Sequence, residues 1–133
     1  MGKIILVHRF THKLVKENPN IYFVFGDNLE KKGHGGQAII RDYKNTIGVP
    51  TKKYPSNHPS SFMTDYELEK NKAAIDKAFN KIKYMIRNNH YIAFPRDGLG
   101  TGLAKLKEKA PETNQYLLKK IERLKKDYGV LNK

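Results

Sequence analysis

Two apolar runs stand near the start of the chain: a short one, Ile4 to Val7, and a longer one, Ile21-Tyr22-Phe23-Val24-Phe25. Continuous rather than alternating apolar positions predict strands covered on both faces, as in a parallel sheet between helices. Thr46 to Val49 reads as a further short strand, stopped by Pro50, which has no N–H for a ladder. Tyr91-Ile92-Ala93-Phe94 predicts the last buried strand. Elsewhere the period changes from a run to a helical stripe. Leu68, Ile75, Phe79, Ile82 and Ile86 follow Thr64 and Glu67, a capping-box pair, and predict one amphipathic helix to about Asn89. A last helix is expected from Pro111, with Glu112 in its first turn, Leu117, Ile121 and Leu124 as its buried stripe, and Gly129 as its end. Strands alternating with helices predict the α/β class: a single domain over residues 1–133, with a mixed, mainly parallel sheet between helical layers.

The polar punctuation is as informative as the apolar runs. After Phe25 come Gly26-Asp27-Asn28, expected as a polar turn, then Gly33-His34-Gly35-Gly36, then Gln37-Ala38-Ile39-Ile40-Arg41, which can start a helix. After Phe94 comes Pro95-Arg96-Asp97-Gly98-Leu99-Gly100-Thr101-Gly102. Thr51 to Met63, with Pro55, Ser56, Pro59, Ser60 and Ser61, is expected to be an exposed loop. Ligands of open α/β sheets bind outside the carboxyl ends of the strands, and both glycine-rich turns directly follow a strong strand, so they are expected to share one rim. Glycine there lets backbone N–H groups approach a phosphate with no Cβ in the way, and a helix N-terminus adds favourable partial charge. Either loop alone reads equally well as a tight turn; the pair carries the inference. The spacing is neither that of a P-loop, which needs Gly-Lys-Ser/Thr, nor that of a dinucleotide fingerprint.

Composition adds charge to this picture. Lys and Arg total 26 against 13 acidic residues, a formal net charge of +13, which attracts polyanions such as nucleic acid or free nucleotides. Lys70, Lys77, Lys81, Lys119 and Lys126 fall where helices show solvated faces, so part of the charge serves solubility. A hydrophobic content of 38%, including 8 Tyr and 6 Phe, excludes the composition of a disordered chain. The absence of cysteine excludes a disulfide framework and a thiolate zinc site and suits a reducing compartment. No stretch approaches the roughly 20 apolar residues of a membrane span, so a cytoplasmic monomer is expected. His8, His12, His58 and His90 show no ligand spacing, and no metal site is expected.

The order Gly26-Asp27-Asn28, Gly33-His34-Gly35-Gly36-Gln37-Ala38, Gly48-Val49-Pro50-Thr51-Lys52 and Phe94 through Leu103 resembles a compact macrodomain. It is most similar to the branch containing terminal ADP-ribose protein glycohydrolase and the DNA ADP-ribosyl glycohydrolase antitoxins, over about residues 21 to 125. The resemblance implies a macrodomain-like three-layer fold that binds ADP-ribose or a derived nucleotide. It also implies hydrolysis of an ADP-ribosyl linkage on nucleic acid or protein, with no cofactor. By the same resemblance, Asn28 contacts the distal ribose, Gly33, Gly35 and Gly36 close over that ribose and the diphosphate, and Gly98 to Gly102 form the second phosphate loop. Lys52 matches the lysine that in this branch can attack the anomeric carbon. The candidate ligand-binding set is therefore Gly26, Asp27, Gly33, His34, Gly35, Gly36, Gln37, Thr51, Gly98, Leu99, Gly100, Thr101 and Gly102, with Lys52, Asp97 and Asn28 the candidates for chemistry.

Physical chemistry sets conditions on these assignments. A lysine is nucleophilic only if burial or a neighbouring cation, such as Lys53, lowers its pKa; otherwise Lys52 neutralises a phosphate or sits in solvent. Gly102 stands where the glycohydrolases place their catalytic aspartate. That leaves Asp97 or Asp27 to activate a water or assist a leaving group, and each serves equally well as a turn residue. His34 can donate to a phosphate or shuttle a proton near neutral pH. Tyr54 can stack on an adenine or a nucleic-acid base. Two other functions fit the same residues: a non-catalytic binder of an ADP-ribose-type nucleotide, and a basic protein that grips nucleic-acid phosphates.

Overall fold

A computed structural model describes residues 1–131. Four strands, β1 (Ile4–Val7), β2 (Ile21–Asn28), β3 (Thr46–Lys52) and β4 (Tyr91–Pro95), form one sheet in the order β1-β4-β2-β3. All three strand pairings are parallel, so the sheet is not mixed; among the described residues the one antiparallel contact is an isolated bridge between Lys52 and Phe62. The helices are α1 (His12–Glu17), α2 (Leu68–Arg87), α3 (Leu106–Lys109) and α4 (Pro111–Tyr128), with a 3₁₀ turn at Gly36–Ile40 between β2 and β3.

Strands β1, β2 and β4 divide their side chains between two layers, as a pleat requires, while the core residues of β3 face one layer. Val24, Ile47, Val49, Ile92 and Phe94 join Ile75, Phe79, Ile82 and Ile86 of α2 and Leu117, Ile121 and Leu124 of α4 in the larger core. Phe23, Phe25 and Ala93 face the other way, onto Phe10, Val15 of α1, Ala38 and Ile40. The result is a three-layer α/β architecture with a thick helical layer on one face and a thin one on the other. No helix among the described residues is long and apolar enough to cross a membrane.

Several boundaries differ from expectation for identifiable reasons. Gly26-Asp27-Asn28 is not a turn but the end of β2, and β3 runs through Pro50 to Lys52. Pro50 is tolerated because β3 lies at the sheet edge and pairs with β2 alone. The Thr51–Met63 segment is loop only in its middle. Ser61, Phe62 and Met63 are buried, and the Lys53 N–H donates to the Ser61 carbonyl at 2.7 Å. Thr64 makes no capping hydrogen bond, and a 3₁₀ turn, Asp65–Glu67, precedes α2. Glu67 is drawn instead to Lys53 at 2.7 Å, while the Asp65 carboxylate accepts from the Glu112 and Thr113 N–H groups and caps α4. Helix α2 stops at Arg87, short of Asn89, which takes a left-handed conformation. α1 and α3 are too short to show a helical period, which is why the sequence pattern did not reveal them.

Candidate functional site

Asp27 and Asn28 are polar residues in a strand that is otherwise core, and three remote positions explain how they are held. The Asp27 carboxylate pairs with Arg41 at 2.6 Å and accepts from the Asn28 N–H at 2.7 Å. Gly48, on the neighbouring strand, makes the room: a Cβ there would sit 2.4 Å from Asp27 Oδ2. Arg41 also donates to the carbonyls of Gly33 at 2.8 Å and Lys32 at 3.0 Å, and its guanidinium lies 5.3 Å from the centre of the Phe25 ring. One side chain thus fixes the first glycine loop to the sheet. Asn28 completes the anchor, donating through Nδ2 to the Lys32 carbonyl at 2.7 Å.

Gln37 joins that loop to the second one. Its Oε1 accepts from the Gly26 N–H at 2.8 Å, and its Nε2 donates to the Gly98 carbonyl at 3.1 Å. The second loop folds back on itself through Leu106, whose N–H donates to the Gly100 carbonyl at 3.0 Å. Gly98 and Gly100 both take a positive φ, and Gly100 is also the more tightly packed. Its φ is +76°, and a Cβ would lie 3.0 Å from Leu106 Cβ and 3.2 Å from Thr51 Cβ.

Between the two loops, at the carboxyl ends of β2, β3 and β4, lies a cleft of about 390 Å³. Of the residues singled out in the sequence, it is lined by Gly26, Asp27, Asn28, Gly33, His34, Gly35, Gly36, Gln37, Thr51, Lys52, Asp97, Gly100, Thr101 and Gly102. Gly98 and Leu99 are not in its lining. Leu99 is 3% exposed and belongs to the larger core, so its side chain pins the loop from below rather than touching a ligand. Lys32, Ala38, Pro55, Leu103 and Ala104 also line the cleft; Ala38 and Leu103 fall within the motifs but are not among the expected site residues, and no motif marks Lys32, Pro55 or Ala104.

The chemistry inside the cleft is uneven. Asp27 is already paired with Arg41, so it offers no free carboxylate, whereas Asp97 is exposed and in no ion pair among the described residues. His34 stands at the exposed lip, its Nε2 2.9 Å from Asp42 Oδ2. Gly102 is open: nothing lies within 4 Å of where its Cβ would be. Lys52 is 8% exposed, its Nζ 5.1 Å from the centre of the Phe62 ring and 3.5 Å from Asn57 Oδ1. Burial, and then the charge of Lys105, hold its pKa below the ordinary lysine value of 10.5. Lys53, the cation expected to act on it, is turned away and paired with Glu67. Tyr54 is 44% exposed and not part of the cleft lining.

No curated protein and no solved structure matches the chain. A family model does match, over residues 5–120, and its description is a family of unknown function, DUF7831.

Proposed function

The chain belongs to the DUF7831 family, and on the chemistry of its cleft we propose that it binds an ADP-ribose-type nucleotide and hydrolyses an ADP-ribosyl linkage. The observation that carries this reading is the meeting of both glycine loops and Lys52 in one cleft of about 390 Å³ at the carboxyl edge of a parallel sheet. That volume falls in the usual range of small-molecule sites, and the position is where open α/β sheets bind ligands. The loops offer backbone N–H groups to a diphosphate, and Asn28 marks the end that takes the distal ribose.

Lys52 supplies the reactive group. Its neutral amine attacks the anomeric carbon of the distal ribose; the N–C bond forms as the bond to the acceptor breaks, and the acceptor leaves with that electron pair and a proton. Water then attacks the same carbon as the C–N bond breaks; Asp97 takes a proton from the water and returns it to the departing Lys52 nitrogen, which regenerates the amine. Burial and a nearby cation lower the Lys52 pKa, the direction that favours the neutral amine that first step needs.

The open position at Gly102 favours a second reading, a binder without turnover, because no carboxylate stands there and Asp27 is committed to Arg41. Calorimetry with ADP-ribose tests both. Gly35 has φ −80° and ψ 146°, a conformation any residue adopts, and its nearest neighbour to a Cβ is Leu103 at 3.8 Å. Gly35→Glu therefore folds normally and puts a negative charge in the cleft, so saturable binding is expected in the wild type and absent in the variant. No binding by the wild type at millimolar ADP-ribose sinks both readings. Mass spectrometry of ADP-ribosylated DNA and protein after incubation then separates them. Release that is lost in Lys52→Ala with affinity retained supports the nucleophile, and undiminished release rules it out.

A further inference from the structure

Phe62 connects the cleft to a second surface. Lys52 Nζ lies 5.1 Å and Lys109 Nζ 5.2 Å from the centre of its ring, so one buried aromatic carries an ammonium from inside the cleft and one from outside it. Lys109 goes on to line an open depression with Thr64, Asp65 and Tyr66. Tyr66 is fully exposed, an aromatic ring that no packing holds.

The charges around this depression do not cancel. Asp65 is occupied by the N-terminus of α4, and Glu67 by Lys53 and Lys70. Lys105 and Lys109 are in no ion pair among the described residues, although Glu108 lies between them in the chain. Lys105 also holds a left-handed backbone, φ 46° and ψ 42°, a conformation that costs a lysine strain and marks a position fixed by its surroundings.

We infer that the surface formed by Lys109 and Tyr66, with Lys105 one helical turn before Lys109 (its carbonyl accepts from the Lys109 N–H at 3.0 Å), holds single-stranded nucleic acid, with phosphates against the two lysines and an unpaired base on the tyrosine ring. Lysines alone would attract any polyanion; the bare ring is what selects a strand whose bases are free to stack. A duplex hides those faces and meets only the lysines. The net charge of +13 adds long-range attraction for the same partner. This surface lies outside the cleft lining and does not depend on the chemistry proposed there.

The test is fluorescence anisotropy of the full chain with a labelled oligothymidylate of about fifteen nucleotides, and with a duplex of equal length, at low and moderate salt. The wild type is expected to prefer the single strand. Tyr66→Ala is expected to weaken that binding by about tenfold and to remove most of the preference over duplex. Lys105→Gln/Lys109→Gln is expected to lower the slope of log affinity against log salt by about two. All three side chains are exposed, and unchanged circular dichroism confirms that the variants fold. Unchanged affinity in both variants overturns the proposal, as does polyglutamate competing as well as the oligonucleotide. Calorimetry with ADP-ribose on Tyr66→Ala, whose side chain lies outside the cleft lining, is expected to match the wild type, so a failure here is read separately from a failure of the cleft.

Discussion

Arg41→Met tests what holds the first glycine loop. Arg41 and Asp27 are 13% and 6% exposed in their side chains and 2.6 Å apart, so the substitution leaves a buried carboxylate with only the Asn28 N–H to satisfy it. Breaking a buried pair from one side costs about 3–5 kcal/mol. The lost hydrogen bonds to the Gly33 and Lys32 carbonyls add about 1 kcal/mol each where water does not replace them. For a chain of this length roughly 3–4 °C accompanies each kcal/mol, so Tm is expected to fall by about 10–25 °C. Asp27→Asn/Arg41→Met leaves neither charge buried and is expected to recover about half of that loss, giving a large coupling in a double-mutant cycle. Urea denaturation supplies the energies, and hydrogen exchange at Gly33 to Gly36 reports the loop directly. A loss below about 1 kcal/mol in the single variant, or losses that simply add, would refute the argument that this pair anchors the loop.

Three further outcomes follow from individual positions. Gly100→Ala must place a Cβ against Leu106 and Thr51 at φ +76° and is expected to cost about 2–4 kcal/mol, whereas Gly36→Ala, at φ +58° with open space around it, is expected to cost about 1 kcal/mol; equal losses in urea denaturation would contradict the packing account. Lys52→Met is expected to be at least as stable as the wild type at pH 7. Because the folded pKa of Lys52 lies below the unfolded one, the wild type regains stability as pH rises between the two, and the advantage of Lys52→Met should shrink over that window; a constant difference between the two denaturation series would contradict it. The Tyr116 hydroxyl donates to Asp76, and that bond, then burial, pushes its pKa up to about 12. The stability this gives is complete below pH 10 and lost as pH rises toward 12, so Tyr116→Phe is expected to flatten the alkaline limb of the stability curve, and absorbance titration should show one of the 8 tyrosines ionising late.

What the chain discloses at a glance is what depends on near neighbours. Ile75, Phe79, Ile82 and Ile86 declare α2 because a helix brings residues three and four apart onto one face. The continuous run at Ile21 to Phe25 declares a two-faced strand because Phe23 and Phe25 meet one core while Val24 meets the other. Misread positions depend instead on partners far along the chain. Pro50 ends a strand only where both sides need its N–H, and edge position is a property of sheet order, which no local pattern holds. Gly26-Asp27-Asn28 looks like a turn until Arg41 and Gly48 are known to stand around the carboxylate.

Lys52 shows the same limit at the site itself. Its sequence neighbour Lys53 seemed the natural cation to lower its pKa, but consecutive residues leaving a strand point to opposite sides, and Lys53 goes to Glu67. The cation that does act, Lys105, comes from the loop after β4, far along the chain from β3, and has a left-handed backbone. The two loops therefore do more than flank a ligand. The first brings its own buried acid and neutralises it with Arg41, and the second brings a lysine with no ion-pair partner among the described residues. That asymmetry leaves the charge of Lys105 to act on Lys52 and lower its pKa, the opposite of what a carboxylate beside Lys52 would do.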